Sequence, residues 1–378
     1  MAHKYMFNGI EIDFAGDLGI IAMSNCRDFG KKIDDNIRRL RKAAGMLTPD
    51  TFLIDIDEIR FANGEGKVLI NDSVRGKDIF IISDTGNYSQ TYKLYGYDNR
   101  MSPDEHYQDI KRVISAIGGK AARVNVVMPM LYASRQDKRK GRESLDCSMI
   151  LQELENMGVR DIITFDAHNA AVQNAVSVMS FENIYATYEI VKNFIADEPD
   201  VMADRDNLLI ISPDVGGMER AIYYSTVMRT DVGMFYKRRD YSRVESGRNP
   251  IVQHEYLGKD VEGKNVIIID DMIGTGESMA EIVRELKRRN ANKVFVAATF
   301  GMFTRGIGVF GELHDQGLLT RLYTTNLTHV PEDAPEKPWF NHVDMSPFAA
   351  ELMNNINMNK SIEPVIDATT RLKNAIGI

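Results

Sequence analysis

The sequence predicts an α/β protein in which mostly parallel β-sheets are covered by helices. Short apolar runs rich in Val and Ile alternate along the chain with longer segments whose apolar residues recur at helical spacing. Strand, helix and strand in repeated alternation build parallel sheets, because each strand returns to the same edge through a crossover. The 378 residues exceed what one ordinary core holds, so two domains are expected.

In the first half of the chain, apolar runs of strand length alternate with segments of helical period. The runs predicted as buried strands span residues 78–84, 122–129 and 161–168. A helix is predicted over residues 106–117, where Gly118 supplies a C-cap. A second helix is predicted over residues 144–158, with Ser144 as its capping residue.

The same rhythm repeats in the second half. The predicted strands span residues 207–214, 265–271, 293–300 and 321–327. The predicted helices span residues 216–228, 276–290, 308–316 and 346–357. Residues 331–339 are rich in Pro and are expected to form a loop.

Two domains of similar plan are predicted, because each half has a strand that ends in an acidic loop. The break is placed near residues 180–188, which gives a first domain over residues 1–182 and a second over 183–345. Residues 346–378 are expected to form a C-terminal helix that packs back on the first domain.

The charge and composition exclude several classes of protein. Lys and Arg total 46 and Asp and Glu total 54, and the net charge of −8 gives no general attraction to nucleic acid or to an anionic membrane. Two cysteines, Cys26 and Cys147, are too few for a disulfide scaffold. The sequence contains neither an apolar run of membrane-spanning length nor the pattern of a signal peptide. A cytoplasmic protein without nucleic-acid or membrane partners is therefore expected.

The most informative segment is residues 265–286, where an apolar run ends in two carboxylates and a glycine-rich turn. Asp270 and Asp271 follow the run, at the end of a strand where open α/β sheets bind ligands. A turn around Gly274 then opens a helix, whose amide groups and dipole form a cradle for an anion. The paired carboxylates suit the two hydroxyls of a ribose or a hydrated Mg²⁺. The alternative is an ordinary strand–helix turn with exposed acids.

This segment resembles the phosphoribosyl pyrophosphate loop of type I phosphoribosyltransferases and of ribose-phosphate diphosphokinases. The resemblance implies two phosphoribosyltransferase-like domains, with Asp270 and Asp271 holding the ribose hydroxyls. It implies that the 5′-phosphate is held by Gly274, Thr275, Gly276 and Ser278. Gly274 stands where many family members carry Asp, and Glu277 where many carry Gly.

Residues 61–82 resemble two consecutive segments of the ribose-phosphate diphosphokinases, F-x-D-G-E and E-S-V-R-G-K-D. The resemblance implies that Phe61 and Glu65 reach the adenine pocket of a neighbouring subunit, with Asn63 standing where the family has Asp. Asn63 and Gly64 also form a favourable dipeptide for a hairpin turn, and both interpretations can hold together.

Residues 126–146 resemble the apolar strand of that family that ends in P-Y-x-x-Y-A-R-Q-D-R. The resemblance implies that Arg135, Gln136 and Asp137 contact ATP. Five basic residues lie between positions 135 and 142 of this acidic chain. A basic run is usually a solvated face, but directly after a buried strand it favours a triphosphate partner.

Two further segments resemble the same family. Residues 163–175 resemble M-D-L-H-A-x-Q-I-Q-G-F, which implies that His168 contacts the ATP phosphates or Mg²⁺ and that Asp166 supports the metal. In a strand, their two-residue spacing points both side chains the same way. Residues 208–225 resemble V-S-P-D-x-G-G-x-x-R-A, which implies that Asp214 lies beside the ribose and its metal.

Residues 234–244 fall where the family has a flexible loop with the pattern H-K-x-R, and Lys237 and Arg239 align with its two cations. Two cations on a closing loop stabilise the charge that develops on the β-phosphorus and on the leaving AMP. Without the resemblance, a basic surface loop is the simpler interpretation.

The order and spacing of these segments imply a Mg²⁺-dependent ribose-phosphate diphosphokinase. Such an enzyme transfers the pyrophosphoryl group of MgATP to the C1 hydroxyl of ribose 5-phosphate, giving 5-phosphoribosyl 1-pyrophosphate and AMP. Two alternatives remain open, a larger acceptor that ends in ribose 5-phosphate, such as ADP-ribose, and a non-catalytic regulatory homologue. The resemblance also implies a homo-oligomer, because the adenine site is shared across an interface.

Overall fold

The computed structural model describes the backbone of residues 3–7, 10–239 and 251–376. Side chains are described for residues 14–236 and 255–373. The side chains of Lys237 and Arg239 therefore lie outside the described residues.

The strands are, in chain order, β1 (His3–Phe7), β2 (Ile10–Phe14), β3 (Asp17–Ala22), β4 (Ile56–Arg60), β5 (Gly66–Ile70), β6 (Lys77–Ile82), β7 (Thr91–Leu94), β8 (Tyr97–Arg100), β9 (Arg123–Val127), β10 (Asp161–Phe165), β11 (Ser180–Ile184), β12 (Leu208–Ser212), β13 (Asp231–Arg239), β14 (Ile251–Leu257), β15 (Asn265–Ile273), β16 (Val294–Gly301), β17 (Arg321–Thr325) and β18 (Phe340–Val343). The α-helices are α1 (Arg27–Ala43), α2 (Pro103–Ile117), α3 (Asp146–Asn156), α4 (Thr187–Asp197), α5 (Pro199–Ala203), α6 (Met218–Met228), α7 (Glu277–Arg288), α8 (Gly308–Asp315), α9 (Ser346–Asn357), α10 (Glu363–Ile366) and α11 (Ala368–Ile376).

The chain divides into two compact units. The first comprises Met1–Ala186, Asn326–His329 and Asp344–Arg371. The second comprises Thr187–Thr325, Val330–Val343 and Leu372–Ile378.

The first unit contains a parallel five-stranded sheet in the order β11-β10-β9-β6-β3. Strand β6, an interior strand between β9 and β3, is apolar and fully buried from Ile79 to Ile82, as expected for a strand covered on both faces. Because β9 and β10 are neighbours, the loops that follow them meet at one edge of the sheet. Two antiparallel hairpins, β4–β5 and β7–β8, also belong to this unit.

The second unit contains a seven-stranded sheet in the order β14-β13-β12-β15-β16-β17-β18. All its pairs are parallel except β13 with β14 at one edge. The α/β class with mostly parallel sheets flanked by helices is thus confirmed. The strand order reverses between β12 and β15, which makes that position the switch point where open α/β sheets bind ligands.

Local signals explain most element boundaries. Ser102 caps α2 in a reciprocal capping box with Glu105, and Gly118 ends the helix in the predicted left-handed conformation with a φ of 58°. The prediction for α3 is wrong at its start. Helix α3 begins at Asp146, so Leu145 and not Ser144 occupies its N-cap position, and no side chain caps the helix there.

The prediction for β10 is wrong at its end. The strand stops at Phe165, three residues before the predicted boundary. Asp166 has a φ of 41°, a left-handed conformation that extended strands do not contain.

A buried carboxylate connects the sheet of the first unit to helix α9. Asp78 on β6 is fully buried and accepts hydrogen bonds from Arg123 Nη2 at 2.6 Å and Nε at 2.8 Å. It also accepts 2.8 Å hydrogen bonds from Asn125 Nδ2 and Asn357 Nδ2. Asn357, the last residue of α9, accepts a further bond from Arg41 Nη2 at 2.6 Å. This network holds α9 against α1 and the sheet.

None of the helices in the described part of the chain combines the length and apolarity that crossing a bilayer requires. The two cysteines, Cys26 and Cys147, are both free and buried.

Replacing Asp78 by Ala should lower the free energy of unfolding by about 3–5 kcal/mol, because the largely buried guanidinium of Arg123 loses its partner. Urea denaturation measures the change. Asp98→Ala is the matched control, since the Asp98–Lys93 ion pair is solvent-exposed and should contribute little. Equal effects of the two substitutions would contradict the role given to Asp78.

Candidate active site

At the switch point of the second unit, the loop after β12 lies beside the end of β15. Asp214 is exposed on this loop and accepts a 3.1 Å hydrogen bond from the N–H of Gly217. A Cβ added at Gly217 would lie 2.8 Å from Ser212 Oγ and 3.8 Å from Asp270 Oδ1. The glycine therefore allows the two acidic segments to approach each other.

Asp270 and Asp271 form a pair of carboxylates at the carboxyl end of β15. The N–H of Asp271 donates to Asp270 Oδ1 at 2.9 Å, and the N–H of Met272 donates to Asp271 Oδ1 at 3.0 Å. Burial, together with the neighbouring charge of Asp271, raises the pKa of Asp270 to about 8. Arg220 on α6 opposes this rise, with Nη1 lying 3.9 Å from Asp270 Oδ1.

The turn after β15 has the geometry of an anion cradle. Gly276 precedes α7 with a φ of 86°, and an added Cβ would lie 2.7 Å from the Phe310 ring. Both the backbone conformation and the packing therefore require glycine. Gly276 has no side chain with which to cap α7, so the helix presents its N-terminal amides and positive dipole end to this turn.

The cradle is held by the segments that follow two neighbouring strands, β15 and β16. The N–H of Thr304, after β16, donates to the carbonyl of Gly274 at 3.0 Å, which fixes the start of the turn. Thr275 accepts a 3.4 Å hydrogen bond from the N–H of Glu277, and Ser278 is exposed in the first turn of α7. The predicted residues of this loop are thus brought together. Glu277, where many family members carry Gly, forms an exposed ion pair with Arg305.

In the first unit, the loops after β9 and β10 meet. Asn169 Nδ2 donates to Asp137 Oδ2 at 2.6 Å. Burial alone would raise the pKa of Asp137, but this hydrogen bond and the charges of Lys138 and His168 hold that pKa below its usual value. Arg135 and Gln136 are exposed on the same loop. These two loops therefore present several polar and cationic side chains at one edge of the sheet of the first unit.

Asp166 and His168 do not point the same way, so that prediction is wrong. Asp166 is buried and follows β10 in a left-handed conformation, whereas His168 is exposed. The N–H of Asp166 donates to the carbonyl of Ile184 at 2.8 Å, which turns the chain at this point. Of the two side chains, His168 is the one accessible to a ligand.

The predicted turn at Asn63 and Gly64 is confirmed as the tip of the β4–β5 hairpin, with Gly64 at a φ of 90°. Asn63 Nδ2 donates to Glu65 Oε2 at 2.8 Å, and Asn63 Oδ1 accepts from the N–H of Glu65 at 3.2 Å. Phe61 remains half-exposed, at 49%. An exposed aromatic ring beside a polar turn offers a stacking surface and hydrogen-bonding groups to a planar ligand.

The backbone of Lys237 and Arg239 belongs to β13, which pairs with β14. The resemblance to the family implied a flexible loop over residues 234–244, but the backbone is a strand as far as Arg239.

The sequence interpretation missed two cationic side chains of the second unit. Arg220 lies in the quoted G-G-x-x-R-A pattern, and that pattern could have identified it. Arg305 follows β16 and belongs to no recognisable sequence motif. Its proximity to Glu277 arises only from the fold.

The acidic groups of the second unit suit a magnesium ion that also takes oxygen ligands from water and phosphates. Within the described residues, no three His, Cys, Asp or Glu side chains are gathered closely enough to hold a metal ion by themselves. Mg²⁺ commonly uses only one or two protein carboxylates and takes its other oxygens from water and phosphates. The exposed Asp214 and the partly buried Asp270 suit such a shared coordination shell.

Gly276→Ala should lower the free energy of unfolding by roughly 2–4 kcal/mol, because Ala is strained at positive φ and its Cβ would overlap Phe310. Gly274→Ala is the matched control, since a Cβ at that position meets nothing within 4 Å. Thermal and urea unfolding compare the two variants. A stable Gly276→Ala protein would show that the turn does not need this conformation.

Comparisons with known proteins agree with this arrangement. A family model described as the N-terminal domain of ribose phosphate pyrophosphokinase matches residues 18–158. A phosphoribosyl transferase domain model matches residues 177–308, and a phosphoribosyl synthetase-associated domain model matches residues 254–366.

Individual relatives match over most of their length. A ribose-phosphate pyrophosphokinase of Ralstonia nicotianae is 28% identical over 305 residues, 80% of this chain and 87% of that relative. One of Vibrio parahaemolyticus is 28% identical over 318 residues, 83% of this chain and 91% of that relative.

A solved structure has the same fold. The phosphoribosylpyrophosphate synthetase of Mycobacterium smegmatis superimposes with a TM-score of 0.70 and 21% identity, covering 91% of this chain and 99% of that one. The three family models together span most of the sequence, from residue 18 to residue 366, and the relatives share the name ribose-phosphate pyrophosphokinase. This chain therefore belongs to the ribose-phosphate pyrophosphokinase family.

Proposed function

We propose that this chain transfers the pyrophosphoryl group of MgATP to the C1 hydroxyl of ribose 5-phosphate, giving 5-phosphoribosyl 1-pyrophosphate and AMP. The observation that carries the proposal is the site at the switch point of the second unit. There, paired carboxylates lie at the end of β15, directly before a glycine-bounded helix N-terminus. The relatives of the chain bear the name of this activity.

The acceptor sugar binds in the second unit. Asp270 and Asp271 accept hydrogen bonds from the two ribose hydroxyls, and Asp214 lies beside the ribose with its metal. The 5′-phosphate occupies the cradle formed by Gly274, Thr275, Gly276 and Ser278. The helix dipole of α7 favours the negative charge of that phosphate.

The donor nucleotide uses the polar groups of the first unit. Phe61 provides the stacking face for adenine bound to a neighbouring subunit, with Asn63 and Glu65 as its polar neighbours. Arg135, Gln136 and Asp137 contact ATP, and His168 contacts its phosphates. Asp166, being buried, supports the metal site through the conformation of its loop and not as an exposed ligand.

The reaction is a direct displacement. The C1 oxygen attacks the β-phosphorus, the bond from that phosphorus to the α–β bridging oxygen breaks, and AMP leaves with the bridging oxygen. The hydroxyl proton passes to solvent or to a nearby carboxylate. Lys237 and Arg239 stabilise the charge on the transferred group and on AMP. Mg²⁺ bound to the triphosphate would neutralise phosphate charge and orient the β-phosphorus.

Neither alternative has comparable support. The relatives carry the name ribose-phosphate pyrophosphokinase, which does not favour a larger acceptor such as ADP-ribose. The acidic pair, the phosphate turn and both cations are present in the chain, which disfavours a non-catalytic homologue. A homo-oligomer and a cytoplasmic location stay predictions.

The product identity tests the proposal. The purified protein, incubated with MgATP and ribose 5-phosphate, should form AMP in step with 5-phosphoribosyl 1-pyrophosphate, separated by chromatography. Lys237→Ala should reduce turnover about 10²–10³-fold, the usual cost of removing one preorganised charge-stabilising group. Lys259→Ala is the control, because Lys259 is an exposed lysine of the same unit, paired with Asp231 at 2.6 Å. Formation of ADP instead of AMP would refute the proposed transfer.

The rate should depend on pH through the Asp270–Asp271 pair. Ribose hydroxyls donate to carboxylates, so kcat/KM for ribose 5-phosphate should rise with pH and level off above about 8, the raised pKa of Asp270. Stability should change in the opposite direction, because the contribution of the protonated, buried Asp270 is lost as pH rises through that value.

Asp270→Asn should remove this rise in the pH profile, and Asp260→Asn, an exposed acid outside the site, should keep it. A profile that is unchanged in Asp270→Asn would assign the titration to another group.

A further inference from the structure

The β7–β8 hairpin lies between strand β6 and helix α2 of the first unit. It is a two-stranded antiparallel ribbon, with Thr91 opposite Arg100 and Leu94 opposite Tyr97. Tyr95 and Tyr97 at its tip are 74% and 80% exposed. The proposed function assigns no role to this hairpin.

The tip of this hairpin contacts the turn of the β4–β5 hairpin. The N–H of Tyr95 donates to the carbonyl of Ala62 at 2.8 Å, the residue that follows Phe61. A Cβ added at Gly64 would lie 3.0 Å from Leu94 Cδ1 and 3.6 Å from the Tyr92 hydroxyl. One hydrogen bond and two side chains of the β7–β8 hairpin therefore lie directly against the Phe61–Glu65 turn.

Tyr92 connects this contact to the rest of the unit. The guanidinium of Arg60, at the end of β4, lies 5.5 Å from the centre of the Tyr92 ring. The Tyr92 hydroxyl donates to Glu105 Oε1 at 2.5 Å. Tyr92 thus bridges the stem of the β4–β5 hairpin and the start of helix α2.

The partners of Tyr92 are themselves fixed. Glu105 Oε2 accepts the N–H of Ser102 at 2.8 Å in the capping box of α2. Arg60 forms an ion pair with the buried Asp109 of the same helix. The β7–β8 hairpin therefore links the Phe61–Glu65 turn to helix α2, a long helix with a capped N-terminus.

The β4–β5 hairpin needs such support. Its two strands pair only with each other, and an isolated two-stranded ribbon is marginally stable in water. Strand β5 packs against α2, where a Cβ at Gly66 would lie 2.5 Å from Arg112 Nη1. The stem is thus held by α2, whereas the turn extends beyond it to the β7–β8 hairpin.

We propose that the β7–β8 hairpin is a brace that positions the Phe61–Glu65 turn for the base of the nucleotide, with Tyr92 and Leu94 as its positioning residues. The inference rests on the proposed function, which assigns that turn to ATP. Holding the turn in one conformation lowers the entropy cost of ordering it on binding. The base is remote from the reacting phosphorus, so the brace acts on the affinity for ATP and leaves the chemical step unchanged.

The test compares two substitutions that remove the same oxygen from one hairpin. Tyr92→Phe should raise the KM for MgATP about fivefold, because a single hydrogen bond to a charged group is lost. Tyr97→Phe, whose ring is exposed, should leave that KM unchanged. Leu94→Ala should raise it about tenfold, since the turn loses its apolar contact. In all three proteins, kcat and the KM for ribose 5-phosphate should stay within about twofold of the parent values.

Replacing residues 91–100 by a short Gly-Ser linker should raise the KM for MgATP at least as much as Leu94→Ala does, and thermal unfolding checks that each variant is folded. The proposal is overturned if Tyr92→Phe and Tyr97→Phe share one KM for MgATP. It is also overturned if both substrate KM values rise together with a fall in thermal stability, which is the signature of a structural role alone.

Calorimetric titration with MgATP separates the brace from the proposed function, because binding needs no turnover. If the parent protein forms no 5-phosphoribosyl 1-pyrophosphate but binds MgATP, a weaker Kd in Tyr92→Phe than in Tyr97→Phe supports the brace, and equal values overturn it. A parent protein that does not bind MgATP at all overturns it as well.

Discussion

The second unit is organised around two adjacent carboxylates at the end of a buried parallel strand. Placing Asp270 and Asp271 there is unfavourable, and the raised pKa of Asp270 reflects that cost. Two backbone amides and the guanidinium of Arg220 offset part of it. Hydroxyl donors of a bound ligand would offset more of that cost, because a hydrogen bond is stronger where the local dielectric constant is low. The neighbouring turn places the N-terminus of α7 beside this pair, a position that suits an anion.

The two units offer different chemical groups to ligands. The second unit offers carboxylates and a helix N-terminus, which suit hydroxyls and one phosphate. The first unit offers an exposed aromatic ring, a basic loop and His168, which suit a base and a polyphosphate. The Glu277–Arg305 ion pair is exposed beside the glycine-rich turn of the second unit. The guanidinium of Arg305 therefore offsets much of the negative charge of Glu277 beside this turn.

Much of the fold was predictable because its signals are local. Gly118 ends α2 and the Asn63–Gly64 turn closes a hairpin, since both depend on backbone preferences of single residues. The left-handed Asp166 was not predictable, because its conformation follows from a bond to β11. The network of Asp78 and Asn357 joins residues far apart in sequence, and the contact of Leu94 with Gly64 depends on two hairpins meeting. In the candidate site, the motif residues were predicted as a set, whereas their orientation and the role of Arg305 required the fold.

The measurement that most directly tests the account follows ATP by ³¹P NMR in the presence of the protein, Mg²⁺ and ribose 5-phosphate. The account predicts that the β- and γ-phosphorus signals of ATP disappear together. They should reappear as two mutually coupled signals of one product attached to C1, while the α-phosphorus appears as AMP. Departure of the γ-phosphorus alone, leaving ADP, would contradict pyrophosphoryl transfer. It would also remove the basis for assigning the nucleotide to the first unit and the sugar phosphate to the second.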